Sequence, residues 1–261
     1  MIKAIISDVD GTLLKNGVTR IDNEVFVTIK ELLNRGVIFA VASGRQYPSL
    51  KKLFAPVWQD VFFICENGGV MMKNDNFVSQ REMDHEKTLA LIANLYEYEG
   101  CEVLVSIKDH GLIKPKSDEM IVELFNTWGF TIGRYDTLDD LFMPIIKVSL
   151  YQKEGLSPKI AQEIEDNWGK DFAVTVSGAK WIDITSSNKV MGIDYLKQHF
   201  GFNADEMAVF GDSFNDVDML NAVTHSFVME DAVDEMKQHG KYICQSVCGS
   251  MKEFLDKNLE L

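Results

Sequence analysis

Short apolar runs that each end in a polar turn recur along the first third of the chain. Ala4-Ile5-Ile6 runs into Asp8 and Asp10 and stops at Gly11, Val37 to Ala42 ends in Ser43-Gly44-Arg45, and Val61 to Cys65 ends in Glu66-Asn67-Gly68-Gly69. Runs this short and this apolar predict buried strands, with glycine marking where each one stops. Val25, Phe26, Ile29, Leu32 and Leu33 fall at helical spacing and predict a helix over Asn23 to Arg35, closed by Gly36, and another helix is predicted through Leu53. Strand, polar turn and helix repeating in that order predict right-handed crossovers, hence an α/β parallel sheet with helices on both faces. Ligands of such sheets bind beyond the carboxyl ends of the strands, which puts Asp8, Asp10, Ser43 and Asn67 on one rim.

From Asp84 to Ser187 the texture changes. Amphipathic stretches over Glu86 to Glu99 and Ser117 to Trp128 predict helices, and they alternate with β-branched runs at Val103 to Ile107, Ile145 to Tyr151, Ala173 to Val176 and Trp181 to Thr185. None of these runs ends in an aspartate or glycine cluster, so the segment reads as a separate α+β unit with its own sheet. After Ser187 the first rhythm returns. A helix is predicted over Val190 to His199 and a buried strand over Met207 to Phe210, ending in Gly211-Asp212-Ser213-Phe214-Asn215-Asp216. A strand over His225 to Met229 and helices over Ala232 to Gln238 and Ser250 to Lys257 complete the pattern. The sheet domain is therefore discontinuous, 1–83 with 188–261, and residues 84–187 are inserted into it.

Composition narrows what such a fold can serve. Forty acidic against 26 basic residues give a net charge of −14 over 261 residues, which opposes binding to nucleic acid or anionic membrane. A small phosphorylated ligand stays compatible, because a metal and one or two cations reverse the field locally. No apolar run approaches the ~20 residues of a membrane span, and Ile2 to Ile6 is too short for a signal core. Cys65, Cys101, Cys244 and Cys248 form no metal framework, and a reducing cytoplasm is the expected compartment.

The chemistry lies at the strand ends. Residues two apart leave a strand on one face, so Asp8 and Asp10 point into one volume if the extended geometry persists that far. Crowded carboxylates repel, and oxygen ligands suit a hard cation such as Mg²⁺. A solvated turn is the other reading of the same segment. Asp212, Asn215 and Asp216 follow a second strand end, and a parallel sheet brings such ends side by side, so that three or four carboxylates converge. Lys189 opens the helix that returns from the insertion and is either a solvated lysine or the positive charge a transferring phosphoryl group requires. Ser43-Gly44 presents a hydroxyl and backbone amides to an anion, or caps the next helix.

Four motifs in this order and spacing, DVDGT at Asp8 to Thr12, SGR at Ser43 to Arg45, Lys189, and GDSFND at Gly211 to Asp216, resemble those of the haloacid dehalogenase superfamily. The organisation resembles its Cof-type phosphatases, which implies a Rossmann-like core with an inserted α+β cap that sets substrate specificity. The resemblance implies that Asp8 is the nucleophile and Asp10 the general acid and base. It implies that Val9, Ser43, Gly44, Lys189 and Asn215 bind the phosphoryl group, and that Asp8, the Asp10 carbonyl and Asp212 hold Mg²⁺, with Asp216 behind them. Hinges are expected near Met83 to His85 and Ser186 to Lys189. Met229-Glu230-Asp231-Ala232 departs from the family's small-residue turn and is read as a helix cap. His225 is read as a packed or edge histidine, and Lys180, Trp181 and Asp183 as cap residues facing the rim. A sugar phosphomutase needs several arginines to grip a second phosphate, and residues 84–187 hold only Arg134. Hydrolysis of a sugar phosphate or similar small metabolite is thus favoured over the mutase, and a non-catalytic binding protein is the reading from another class. Oligomeric state is not legible in the sequence.

Overall fold

Ala4–Asp8 forms strand β1, and every one of its residues is buried, which is why the run carries no charge before Asp8. The computed structural model describes all residues except 16–17, 117, 123, 125–128 and 261. After β1 come helix α1 (Asn23–Asn34), β2 (Ile38–Ala42), α2 (Tyr47–Leu53), β3 (Phe62–Cys65), β4 (Val70–Lys73) and β5 (Asn76–Gln80). Then follow α3 (His85–Leu95), β6 (Cys101–Ser106), β7 (Gly111–Ile113), α4 (Glu119–Val122), β8 (Ile132–Arg134), β9 (Lys147–Gln152), α5 (Pro158–Trp168), β10 (Ala173–Ser177) and β11 (Trp181–Thr185). The chain closes with α6 (Val190–Phe200), β12 (Met207–Gly211), α7 (Val217–Asn221), β13 (His225–Met229), α8 (Asp234–Lys237), β14 (Tyr242–Cys244) and α9 (Val247–Asp256). These elements form two compact units, one of Met1–Gly44, Leu50–Ser79 and Lys189–Leu261, the other of Arg45–Ser49 and Gln80–Asn188.

The first unit is built on an eight-stranded sheet in the order β14-β13-β12-β1-β2-β3-β4-β5. From β14 to β3 all neighbours are parallel, and β4 joins antiparallel to β3. Strand alternation sorts its side chains between two layers. Ala4, Ile6, Ala40, Ala42 and Ile64 pack with Ile193 and Leu196 of α6 and with Met219 and Leu220 of α7. On the opposite face Phe63 meets Phe54 edge-on at 5.9 Å, Phe54 meets Phe26 of α1 at 6.1 Å, and Phe210 meets Phe254 of α9 at 6.3 Å. Asp8 has the parity of Ala4 and Ile6 and so belongs to the α6 layer. That helix lies very close to the sheet, for a Cβ on Gly192 would come within 2.1 Å of Ile64 Cδ1. The missing side chain thus lets α6 bring its first residues to the strand ends.

α1 starts at Asp22, whose carboxylate accepts the Glu24 amide at 2.8 Å and satisfies a donor the helix leaves open. Asp22→Ala is expected to cost about 1 kcal/mol, read as a lower urea midpoint at unchanged m-value.

The second unit has a six-stranded sheet in the order β10-β11-β9-β6-β7-β8, antiparallel except for β7 with β8. One face is apolar, with Val103, Val105, Val148, Leu150, Ile182 and Ile184 against Leu91, Ile92 and Leu95 of α3 and Ile164 of α5. The other face carries Leu104 and Tyr151 at one end and a row of polar residues beside them.

Several elements differ from the sequence reading. The helix expected over Glu86 to Glu99 stops at Leu95, where Glu97 and Glu99 would oppose the helix dipole and Lys116 Nζ instead binds the carbonyls of Tyr96 and Tyr98. Of the helix expected over Ser117 to Trp128, Glu119–Val122 is helical; residues 117, 123 and 125–128 lie outside the described residues. The β4–β5 hairpin turns at Asn74 and Asp75, both at positive φ (49° and 60°), a pairing that suits a two-residue turn.

Candidate active site

Strands β1 and β12 are neighbours, with Ser7 beside Phe210, so Asp8 and Gly211 end the two strands at the same level. Beyond Asp8 the chain does not stay extended. Gly11 takes φ +93°, its amide donates to the Leu14 carbonyl at 2.7 Å, and the Leu14 amide donates back to Val9 at 2.8 Å. A Cβ on Gly11 would lie 2.1 Å from Asp212 Oδ2, so only glycine lets this loop lie against the loop after β12. The tight turn removes the extended geometry on which Asp8 and Asp10 leaving one face together depends. Asp8 is buried and Asp10 is exposed, and the three carboxylates that converge, with oxygens within 4.8 Å of one another, are those of Asp8, Asp212 and Asp216.

The loop after β12 folds on its own acids. Asp216 Oδ2 accepts the amides of Asp212 at 2.9 Å and Ser213 at 3.1 Å, closing a single 3-10 turn over Phe214–Asp216. Its Oδ1 accepts Lys189 Nζ at 2.7 Å, and the same ammonium donates to Asp8 Oδ1 at 2.6 Å. Lys189 is 1% exposed and stands at the N-terminal boundary of α6, where the close approach at Gly192 holds it. Thr12 Oγ donates to Asp212 Oδ1 at 2.8 Å and fixes that carboxylate from the β1 side.

Charge in this cluster is unbalanced. Burial pushes Asp8 well above the usual carboxylate range; Lys189 opposes that shift, and the charges of Asp216 and Asp212 add to it. Asp212 is pushed up to about 6, by burial first and Asp216 next, against the Thr12 hydrogen bond. Burial also works against the Lys189 charge, but Asp216 and Asp8 outweigh it and hold the ammonium above its ordinary range. Three carboxylates thus face one ammonium, and Asp8 Oδ2 is buried with no hydrogen-bond donor among the described residues. The donors are all oxygen, as a hard divalent cation prefers. Asp216 has both oxygens engaged, so Asp8 and Asp212 are the carboxylates left to hold such an ion.

A second group forms around a residue to which the sequence assigned a place on the rim but no role. Asn67 sits at φ 54°, ψ 38°, its amide donates to the Ser43 carbonyl at 3.0 Å, and its Oδ1 accepts Asn215 Nδ2 at 3.3 Å. A Cβ on Gly44 would come within 3.2 Å of Asn67 Oδ1. Asn67 therefore clips the loop after β2 to the loop after β12. Its signal in the sequence is the Asn-Gly pair after a buried strand, since asparagine tolerates the left-handed region. The Ser43 amide is used by Ile64 O at 2.9 Å, so it is not among the amides offered to an anion. Val9 is buried, and its carbonyl closes the β1 loop.

Other residues singled out in the sequence have partners of their own. Asp231 is no helix cap: it pairs with Lys15 at 3.0 Å, and α8 begins later, at Asp234, behind Val233. His225 Nε2 bonds the Asp205 carbonyl at 3.1 Å, and burial lowers its pKa. Asp183 is buried with Ser149 and Lys147, and Trp181 packs on Tyr151 with ring centres 4.7 Å apart.

The chain is similar to known proteins over most of its length. The family model for haloacid dehalogenase-like hydrolases matches residues 5–249. The chain is 26% identical over 246 residues to 5-amino-6-(5-phospho-D-ribitylamino)uracil phosphatase YbjI of Escherichia coli (strain K12), covering 92% of this chain and 90% of that protein. It is 25% identical to phosphoglycolate phosphatase 1 of Saccharolobus solfataricus, over 100% of this chain and 97% of that one. A solved structure from Eubacterium rectale superposes with a TM-score of 0.86 at 27% identity, covering 97% of this chain and 99% of the other. The chain belongs to the haloacid dehalogenase-like hydrolases, among the Cof-type phosphatases of that family.

Proposed function

We propose that the protein hydrolyses phosphate monoesters of small hydroxylated metabolites, sugar phosphates foremost, through a phosphoaspartyl intermediate on Asp8. The observation that carries this reading is the Lys189 ammonium held between Asp8 and Asp216 beside Asp212. A carboxylate attacking a phosphate dianion is repelled unless positive charge is in place first. Lys189 supplies part of that charge from a fixed position. Asp8, Asp212 and the Asp10 carbonyl would hold Mg²⁺, which would supply the rest of that charge when bound.

The steps then belong to the chain's own groups. An oxygen of Asp8 forms the new bond to phosphorus as the ester oxygen departs, and Asp10 gives that oxygen its proton. Asp10, now a carboxylate, takes a proton from water, whose hydroxyl displaces Asp8 from phosphorus and releases inorganic phosphate. Lys189 fixes Asp8 at 2.6 Å, which fits a nucleophile held in place, and Asp10 stands exposed, which fits a group that exchanges its proton with solvent. Val9, Ser43, Gly44 and Asn215 would hold the phosphoryl oxygens, Asn67 would keep the last three in register, and Asp216 would orient Lys189. The inserted unit would set which ester is accepted, and its chain connections would serve as hinges.

The test is phosphate release from phenyl phosphate and from a hexitol phosphate, with Mg²⁺ and then with chelator. Release is expected with both esters, is expected to stop with chelator, and is expected to return on restoring Mg²⁺. Release indifferent to chelator, or an isomeric phosphate ester in place of free phosphate, would refute the proposal.

A further inference from the structure

The second unit has a concavity of about 410 Å³ where the C-terminal end of α3 meets the segments that follow β7 and β8. That volume falls within the ~300–1,000 Å³ of small-molecule sites, which are mostly apolar with a few fixed polar groups. Ala93, Pro115 and Leu138 supply apolar wall, and Tyr96 and Tyr135 add two rings. The tyrosine hydroxyls are spent on each other. Their oxygens lie 2.8 Å apart, and Tyr96 donates its proton to the Lys114 carbonyl at 3.3 Å, so the proton between the rings comes from Tyr135. Burial holds the Tyr135 phenol above its ordinary range, and it stays neutral.

Charge at this place comes from two lysines. Lys116 Nζ donates to the carbonyls of Tyr96 at 3.1 Å and Tyr98 at 3.0 Å, which answers the negative end of α3, and Lys114 Nζ donates to the Asp136 carbonyl. An ammonium carries three donors, so these bonds fix both groups and leave one N–H on Lys116 and two on Lys114. Neither ammonium has an ion-pair partner among the described residues. The acids of the neighbouring segments serve the backbone instead: Glu102 Oε2 accepts the Lys116 amide at 2.7 Å, and Asp140 Oδ2 accepts the amides of Asp136 at 3.0 Å and Thr137 at 2.8 Å. Two fixed ammoniums beside an apolar wall match an anion carried on an apolar body. The lining holds no arginine and no helix N-terminus, the usual grips for a phosphate dianion, so the head that fits is a carboxylate.

We propose that the concavity binds a small aromatic carboxylate, with its oxygens on Lys114 and Lys116 and its ring against the apolar wall. The site lies within the second unit and does not depend on the phosphatase reading. Calorimetric titration of the full chain with phenylacetate, in chelator, tests it, and one saturable site is expected. Phenylethanol keeps the ring and lacks the charge; it is expected to bind at least about tenfold more weakly. Lys114→Met is expected to weaken phenylacetate by about the same factor, the loss of a charge-assisted hydrogen bond. Ala93 is exposed on α3, so Ala93→Leu fills the concavity without touching the core, and it is expected to abolish binding at an unchanged thermal midpoint. Asp8→Asn is expected to bind phenylacetate as the native chain does, which separates this site from the Asp8 cluster. No saturable binding, equal affinity for phenylethanol, native affinity in Lys114→Met or Ala93→Leu, or loss of binding in Asp8→Asn would overturn the proposal. So would displacement of phenylacetate by inorganic phosphate at equal concentration, the mark of a site for charge alone.

Discussion

Asp8→Asn is expected to lower phosphate release by about a thousandfold or more while leaving the fold intact or firmer. The amide is close to the carboxylate in size and keeps an oxygen for Lys189 Nζ, which donates to Asp8 at 2.6 Å. What it loses is the anion that forms the bond to phosphorus in the proposed reaction, and loss of a covalent nucleophile removes most of the rate. Stability moves the other way, because burial and the charges of Asp216 and Asp212 all disfavour the Asp8 carboxylate. Removing one of three crowded anions relieves that repulsion, an instance of a catalytic cluster held against the interest of the fold. In chelator the urea midpoint of Asp8→Asn is therefore expected to exceed that of the native chain, and Mg²⁺ is expected to narrow the gap. Rapid quenching with a labelled ester is expected to trap label on the native protein and none on the variant. Substantial turnover by Asp8→Asn, or label trapped on it, would remove Asp8 from the chemistry.

How far the sequence alone leads is set by which contacts are local. β1, β2, β3 and β12 are largely buried on both faces and read as near-continuous apolar runs, so their ends, and the acids placed there, are visible from composition alone. Parallel pairing then makes Asp8 and Asp212 neighbours across 204 positions of chain, an inference from topology that needs no coordinates. β5 and β8 carry exposed residues, β7 and β14 span three residues each, and α5 fully buries only Ile164. Patterns so short or so polar do not stand out from loops.

Side-chain direction past the end of a strand is less legible still. The two-residue rule does not reach Asp10, because β1 ends at Asp8 and the turn at Gly11 swings the chain out of its extended path. Thr12 stands in the same motif as the acids, yet its bond to Asp212 joins residues 200 apart and shows only in three dimensions. The row of polar residues on the second sheet was hidden for the same reason. Ser106, Lys147, Ser149 and Asp183 interrupt apolar strands one at a time, and register alone puts them on one face.

Lys189 offers the sharpest test of whether the acids form one electrostatic unit. Lys189→Met keeps much of the side-chain volume and removes an ammonium that contacts both Asp8 and Asp216 in a setting 1% exposed. Breaking a buried ion pair by deleting one partner typically costs about 3–5 kcal/mol, because the remaining charge has no solvent to return to. Here the two carboxylates left behind also face Asp212, so a loss at the upper end of that range is expected in chelator. A cation that binds the folded cluster and not the unfolded chain stabilises in proportion to the logarithm of its concentration over its dissociation constant. Titrating Mg²⁺ is accordingly expected to restore much of the lost urea midpoint in Lys189→Met, and more than it adds to the native chain, whose lysine already meets part of the charge. Activity is not restored in step. In the proposed reaction Lys189 would supply a fixed charge that the ion does not replace, and removing one preorganised charge typically costs about a hundred- to a thousandfold in rate. A variant as stable as the native chain in chelator would show that the lysine is incidental to the cluster, and full turnover in Mg²⁺ would show that it is incidental to the reaction.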